Sequence, residues 1–336
     1  MKQKVLIILS VFFFLASCDD IIIENTPENV FEVFWRTMDE NYVFFEEKGI
    51  DWDSIHRIYA PKARKARNDE DLKDIFRSII PQFQDGHLWI NPTNCFLITG
   101  VPSLWFINNN NVEKLTARGF EIVHSEWNLL ILVHKTRRVV YFKLNTFNYR
   151  GSDISTHRPE RLLNNLDFAN GLIIDFSNND GGQRSNTHNF VSAFFNGRKK
   201  VLYQQIKTGS GRNDFSDKTP IYLQGRAYVP DEVPLIILTS PGTFSASNMA
   251  TYILTDLRNT TVIGMPTSGG GGSLREVILP NGWRFGFPFT RTFSPSGRNM
   301  EFLFEPDIQV EMPQGMTLGE FRNALLSALL DYLDGL

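Results

Sequence analysis

Three short segments of this chain carry side chains suited to acyl-transfer chemistry. The first, Thr239-Ser240-Pro241-Gly242-Thr243-Phe244-Ser245-Ala246-Ser247-Asn248, joins an apolar run ending at Leu238 to an amphipathic one at Ala246, Met249, Ala250, Ile253, Leu254 and Leu257. Read as strand, turn and helix, it holds Ser245 at the C-terminal end of a buried strand, where α/β folds place their sites. The free N–H groups of the helix start would favour negative charge developing there. Serine is also a favoured helix cap, and this segment taken alone reads as a cap. The second segment, Ile173-Ile174-Asp175-Phe176-Ser177-Asn178-Asn179-Asp180-Gly181-Gly182, runs from a strand into a turn. Its paired glycines let backbone N–H groups approach a substrate, although a tight turn needs the same residues. The third, Asp85-Gly86-His87, supplies an imidazole able to move protons near neutral pH. A lone histidine is more often structural.

In this order and spacing, the three segments resemble the C-terminal-processing (tail-specific) serine protease family, including its tricorn-like branch. Gly49-Ile50-Asp51-Trp52, Gly264-Met265-Pro266-Thr267, Leu279-Pro280-Asn281-Gly282-Trp283 and Glu305-Pro306-Asp307-Ile308 extend the likeness through most of the chain. The resemblance implies a ClpP/crotonase-like α/β fold and hydrolysis of peptide bonds in a polypeptide substrate, with no cofactor. It also implies Ser245 as nucleophile, with oxyanion donors at the N–H of Ala246 and in the Gly181-Gly182 turn. Such an arrangement is chemically coherent, because a serine needs a base and the tetrahedral oxyanion needs donors.

One branch of the family uses a lysine as base, in a Gly-Lys-Gly turn after the serine. Here that stretch reads Thr267-Ser268-Gly269-Gly270-Gly271-Gly272, and no lysine follows Lys218. The tricorn-like branch instead uses a histidine at the position of His87, which assigns His87 as general base, with His188 as the fallback. Three positions depart from the family pattern. Gly86 replaces a serine, Asn248 replaces an acid, and the glutamate that orients the histidine side is matched best by Glu301, beside Met300, with Glu305 behind it. These departures motivate a rival reading, a catalytically inactive member that binds peptides or other envelope ligands. A third reading, thioester chemistry in a crotonase-like oxyanion hole, conflicts with the export signal described below.

The elements needed to position these residues are legible in outline. Thr26-Pro27 offers a cap and a first helical proline, followed by Val30, Phe31, Phe34, Trp35 and Met38 at helical spacing. Further helices are expected near Asp53 and Asp69, the latter ended by Pro81. A helical subdomain over 26–86 is therefore expected, then a small β region over 87–137 with a surface loop at Asn108–Asn111 and no PDZ domain. Over 138–336, apolar runs at Val139–Leu144, Leu172–Phe176, Leu235–Leu238 and Val262–Ile263 alternate with helical patterns, one of them at Pro159–Phe168. That alternation argues an α/β core with buried parallel strands. Asn281-Gly282 marks a hairpin, and Leu318, Phe321, Leu325, Leu329 and Leu333 a closing helix. Gly269–Gly272 lacks the lysine of a P-loop and reads as a mobile loop beside the site. Lys62, Arg64, Lys65 and Arg67 read as a solvated face, and no metal-ligand spacing occurs, so no metal is expected.

Composition sets the outer bounds. With 336 residues, 42% hydrophobic and 28 of them Phe, the chain is globular rather than disordered or low-complexity. A net charge of −3 gives no reason to expect a nucleic acid partner. Residues 1–17 combine Lys2 and Lys4, the apolar run Val5–Leu15 and a small-residue end, which is the pattern of an export signal too short to span a bilayer. Leu15-Ala16-Ser17-Cys18 resembles the lipobox of bacterial lipoproteins, with Cys18 lipidated and 18–25 a tether. That places the protein in the bacterial cell envelope, anchored to a membrane. Cys95 is then left without a disulfide partner.

Overall fold

The N-terminal helices begin at their sequence caps. Thr26 Oγ1 accepts the Asn29 N–H at the start of α1 (Pro27–Asn41), Asp51 accepts from Ser54 before α2 (Trp52–Lys65), and Asn68 accepts from Glu70 and Asp71 before α3 (Asp69–Ile79). Pro81 follows in a short 3₁₀ turn. The inward faces of these helices meet in an aromatic cluster that includes Phe31, Phe34, Trp52 and Phe76. The protein is seen here as a computed structural model that describes residues 24–92, 98–99, 120–126, 129–134, 137–149, 163, 169–314 and 316–335. The export signal, Cys18, Cys95, the Asn108–Asn111 run and most of the expected Pro159–Phe168 helix lie outside the described residues. No helix among the described residues is long and apolar enough to cross a membrane.

Among the described residues the core sheet has seven strands. In chain order these are β3 (Glu121–Glu126), β4 (Leu129–His134), β5 (Arg137–Lys143), β6 (Gly171–Asp175), β9 (Leu235–Thr239), β10 (Thr260–Gly264) and β14 (Ile308–Gln309). Their spatial order is β14-β10-β9-β6-β5-β4-β3, parallel from β14 to β5 and antiparallel at β4 and β3. β6 and β9 are buried at every residue, as central parallel strands covered on both faces must be. One face packs on α4 (Arg184–Val191) and α5 (Ala246–Leu257); the other is closed by α6 (Leu318–Gly335) through Phe321, Leu325 and Leu329. Thr317 and Glu320 cap α6 reciprocally.

Two smaller antiparallel sheets are also present among the described residues. β13 (Thr290–Phe293), β7 (Arg198–Ile206) and β8 (Thr219–Gln224) form one. The other has the order β11-β12-β1-β2, formed by β11 (Leu274–Ile278), β12 (Arg284–Pro288), β1 (Trp89–Asn91) and β2 (Ile98–Thr99). Asn281-Gly282 turns β11 into β12, with Gly282 at φ 81°. The described residues of 87–137 thus divide between two sheets. β1 pairs with β12, Ile90 opposite Phe285, whereas β3 and β4 extend the core sheet. Trp283, Phe285 and Phe287 of the hairpin are buried against α1–α3, so the helical layer clasps the sheet that carries the approach to His87.

Candidate active site

Ser245 sits where β9 turns into α5, and its backbone is unusual. Its φ of 57° with ψ −114° is a conformation that side chains other than glycine rarely adopt. The hydroxyl makes no capping bond, so the capping role is not the one it fills. Instead Ser245 Oγ lies 3.0 Å from His87 Nε2. The strained turn is held by neighbours: Phe244 N–H donates to Asn179 O, Ser245 N–H to Gly269 O, Thr243 Oγ1 to Phe176 O, and Ser247 Oγ to Asn179 O. The serine turn and the glycine turn are therefore one stitched unit.

Within that unit the backbone donors can be sorted into bonded and free. Gly181 N–H already donates to Asn179 Oδ1 at 2.9 Å. Among the described residues no intramolecular acceptor takes the N–H of Gly182 or of Ala246. Both residues line the cleft that contains Ser245 and His87. Gly181 fits because a Cβ there would lie 2.7 Å from the Ser245 Cβ, and one on Gly182 only 2.4 Å from the Phe147 carbonyl carbon. Asn179 organises the turn through Gly181 and, by Nδ2, through Leu144 O. Its bond to the N–H two residues on is an Asx turn, a local signal present in the sequence. Asp175 is structural, accepting from Ser177 and from the Tyr141 hydroxyl.

His87 is buried, its ring 4.8 Å from that of Phe244. Its backbone N–H donates to Asp85 Oδ1, and its Nδ1 has no hydrogen-bond partner among the described residues. Burial pushes its pKa down to about 4; Asp85 pulls the other way, while Lys48 and Arg184 reinforce burial. Beneath the histidine lies a buried polar cluster. Tyr42 donates to Asp85 Oδ2 at 2.7 Å, and Lys48 Nζ stands 3.0 Å from Glu301 and 3.9 Å from Asp85. Glu301 binds Lys48 and the Gly271 N–H rather than His87. Burial and the Asp85 charge raise its carboxyl above the usual range, against the pull of Lys48. Tyr42 and Lys48 went unassigned in the sequence because their partners lie far along the chain.

The remaining candidates fall elsewhere or are packed away. His188 stands on α4 with Nε2 buried and unpartnered, and makes no bond to Ser245. Asn248 replaces the expected acid and is satisfied by Met300 O and the Thr267 hydroxyl. The Gly269–Gly272 loop, expected to be mobile, is instead buried and bonded. Gly270 N–H donates to Glu301 O, and a Cβ on Gly270 would strike the Phe244 ring at 2.4 Å. Close packing, not freedom to move, explains its glycines. Among the described residues no cluster of His, Cys, Asp and Glu could hold a metal ion.

The family model for Peptidase family S41 matches residues 138–310, just over half the chain. The chain belongs to peptidase family S41. The Tricorn protease C1 domain model matches residues 23–80 of this S41 chain. A carboxy-terminal-processing protease of Bartonella bacilliformis is 29% identical over 167 residues, 46% of this chain. The match spans only 36% of that protein. A candidate peptidase from Parabacteroides merdae superposes with a TM-score of 0.77 at 25% identity, covering 92% of this chain and 97% of the other. Mature CPAF complexed with lactacystin gives 0.66 at 12% identity, covering 91% and 97%, a likeness of fold. The parallel core sheet with its helical covers is thus the fold shared with S41 protease structures.

Proposed function

We propose that this S41 protein is a serine endopeptidase of the cell envelope that cleaves unfolded or extracellular polypeptides. The observation that carries the reading is the 3.0 Å approach of His87 Nε2 to Ser245 Oγ. In the proposed mechanism neutral His87 accepts the Ser245 proton as Oγ bonds to the substrate carbonyl carbon. The carbonyl oxygen becomes the oxyanion and accepts from the N–H groups of Gly182 and Ala246. Collapse breaks the C–N bond, and the imidazolium returns the proton to the leaving amine. Water, deprotonated by His87, then attacks the acyl carbon, and the ester C–Oγ bond breaks as the imidazolium returns that proton to Ser245 Oγ. Asp85 favours the imidazolium formed in both half-reactions, which suits a site where burial opposes that charge. The lipid anchor at Cys18 belongs to the same reading and would hold this chemistry at a membrane surface.

A second reading rests on His87 Nδ1. When Nε2 accepts from serine, the proton sits on Nδ1, and here no acceptor fixes that tautomer. This favours the inactive, ligand-binding alternative. Soluble protein starting after Cys18, incubated with mixed unfolded peptides and read by mass spectrometry, separates the two. Cleavage by the parent that is lost in Ser245→Ala and His87→Ala supports the peptidase. A folded parent that leaves every peptide intact rejects it.

A further inference from the structure

Arg184, the first residue of α4, lies two residues beyond the oxyanion glycine and lines a cleft of about 200 Å³ with Ser245 and His87. Its guanidinium carries up to five donors, of which one reaches Thr292 Oγ1 at 3.2 Å. No carboxylate pairs with it among the described residues, whereas Arg212, Arg284, Arg291 and Arg298 each meet an acid. Its charge is nonetheless felt at the site, since it disfavours protonation of both His87 and His188. Burial also disfavours the charge on Arg184 itself. A partly desolvated cation without a counter-ion is unfavourable unless something supplies the anion. The other walls are of a different kind: Met249 and Leu274 are apolar, and Ser273 is the remaining small polar residue. That set fits an aliphatic stem ending in a planar anion, which a guanidinium can bind through two parallel hydrogen bonds.

We propose that Arg184 is the specificity-determining residue of this cleft and pairs with a substrate carboxylate beside the bond that Ser245 attacks. The inference rests on the peptidase reading. The carboxylate has two possible sources, an acidic side chain preceding the cleaved bond or the free C-terminus of a short segment released after it. A neutral substrate would leave the guanidinium unpaired, which penalises binding and the transition state alike.

The test uses matched peptides with Glu, Gln or Lys before the cleaved bond, each with a free or amidated C-terminus. For the wild-type protein, kcat/KM is expected to be about tenfold to hundredfold higher for Glu than for Gln, or for free over amidated termini. Whichever comparison shows the effect identifies the source. In Arg184→Met that ratio should fall to about one, in Arg184→Lys it should persist in part, and in Arg184→Glu Lys should become the preferred residue. A wild-type ratio of about one in both comparisons, or a ratio unchanged in Arg184→Met, overturns the proposal without needing any variant beyond these. Fluorescence anisotropy of the same labelled peptides on Ser245→Ala protein reads the preference without turnover. Carboxylate-selective binding with no cleavage by the parent would reject the peptidase and keep the anion site. Cleavage without such selectivity would do the reverse.

Discussion

The pH behaviour of the proposed site turns on His87. In the fold its pKa lies near 4 against an ordinary 6.5, chiefly because burial penalises the cation. Between those values the unfolded chain binds more protons than the folded one. Stability associated with neutral His87 is therefore fully present above pH 6.5 and is lost as pH falls through about 4. Three outcomes follow for this residue. The acid limb of kcat/KM should lie well below 6.5, near 4, and His87→Gln should cost about 10²–10⁴ in rate. Urea midpoints measured from pH 7 to pH 4 should fall further for wild type than for His87→Gln, a comparison that cancels the similar shift of His188. An acid limb near 6.5 would show that His87 titrates as if solvated. At this scale Ser245, His87 and the glycine turn were legible, since each sits in a short contiguous motif. Arg184 stands two residues beyond the glycine turn and carries no local mark. Glu301 was named for the histidine side, yet its position is set by Lys48 and Gly271, contacts that only the folded chain brings together.

Elements decide whether His87 arrives at Ser245 at all. His87 lies two residues before β1, and β1 is fixed by antiparallel pairing to β12, whose buried face packs on α1–α3. Trp283 is the anchor of that packing, fully buried, with its ring 6.0 Å from that of Phe76. Trp283→Ala should cost about 3–5 kcal/mol, the usual range for an aromatic cavity in a core. Equilibrium urea unfolding would measure the loss. Activity per folded molecule should also fall, because the strand holding His87 loses its backing; a loss of stability with full specific activity would contradict this linkage. The helix caps, the Asn281-Gly282 hairpin and the buried parallel strands could all be read locally from cap chemistry, turn chemistry and periodicity. The partner of β1 could not. Ile90 meets Phe285 across most of the chain, and such a pairing leaves no trace in either segment's own pattern.

At the scale of the whole molecule, the two halves of the proposed active site belong to different hydrophobic cores. Ala246 and Met249, next to Ser245, sit in the cluster around the parallel sheet, whereas Leu88 and Ile90, next to His87, sit in the cluster of the N-terminal helices. A 3.0 Å contact between them depends on how those cores are locked together. Arg291 of β13 is the main polar clasp. Its Nε donates to Val43 O at 2.8 Å, its other arm to Glu47 at 2.9 Å, and its guanidinium lies 3.7 Å over the Phe215 ring. Its side chain is 13% exposed, so solvent screens these contacts little. Arg212 makes a second clasp to Asp39 and Asp53, but its side chain is 34% exposed and that of Asp53 57%. Exposed pairs contribute only about 0–1 kcal/mol, whereas removing one partner of a largely buried set leaves Val43 O and Glu47 without their donor and costs about 1–3 kcal/mol. Arg291→Met should therefore lower stability by roughly that larger amount and kcat by about tenfold or more, since small misplacements of a base are costly. KM should move less, because Gly182, Arg184, Ala246 and Met249 stay on the side of the parallel sheet. Arg212→Met should change both kcat and stability by far smaller amounts. Unfolding midpoints and steady-state kinetics on the two variants, run side by side, make the comparison. Equal effects from the two substitutions would mean that apolar packing alone, rather than the Arg291 clasp, holds the two cores in register.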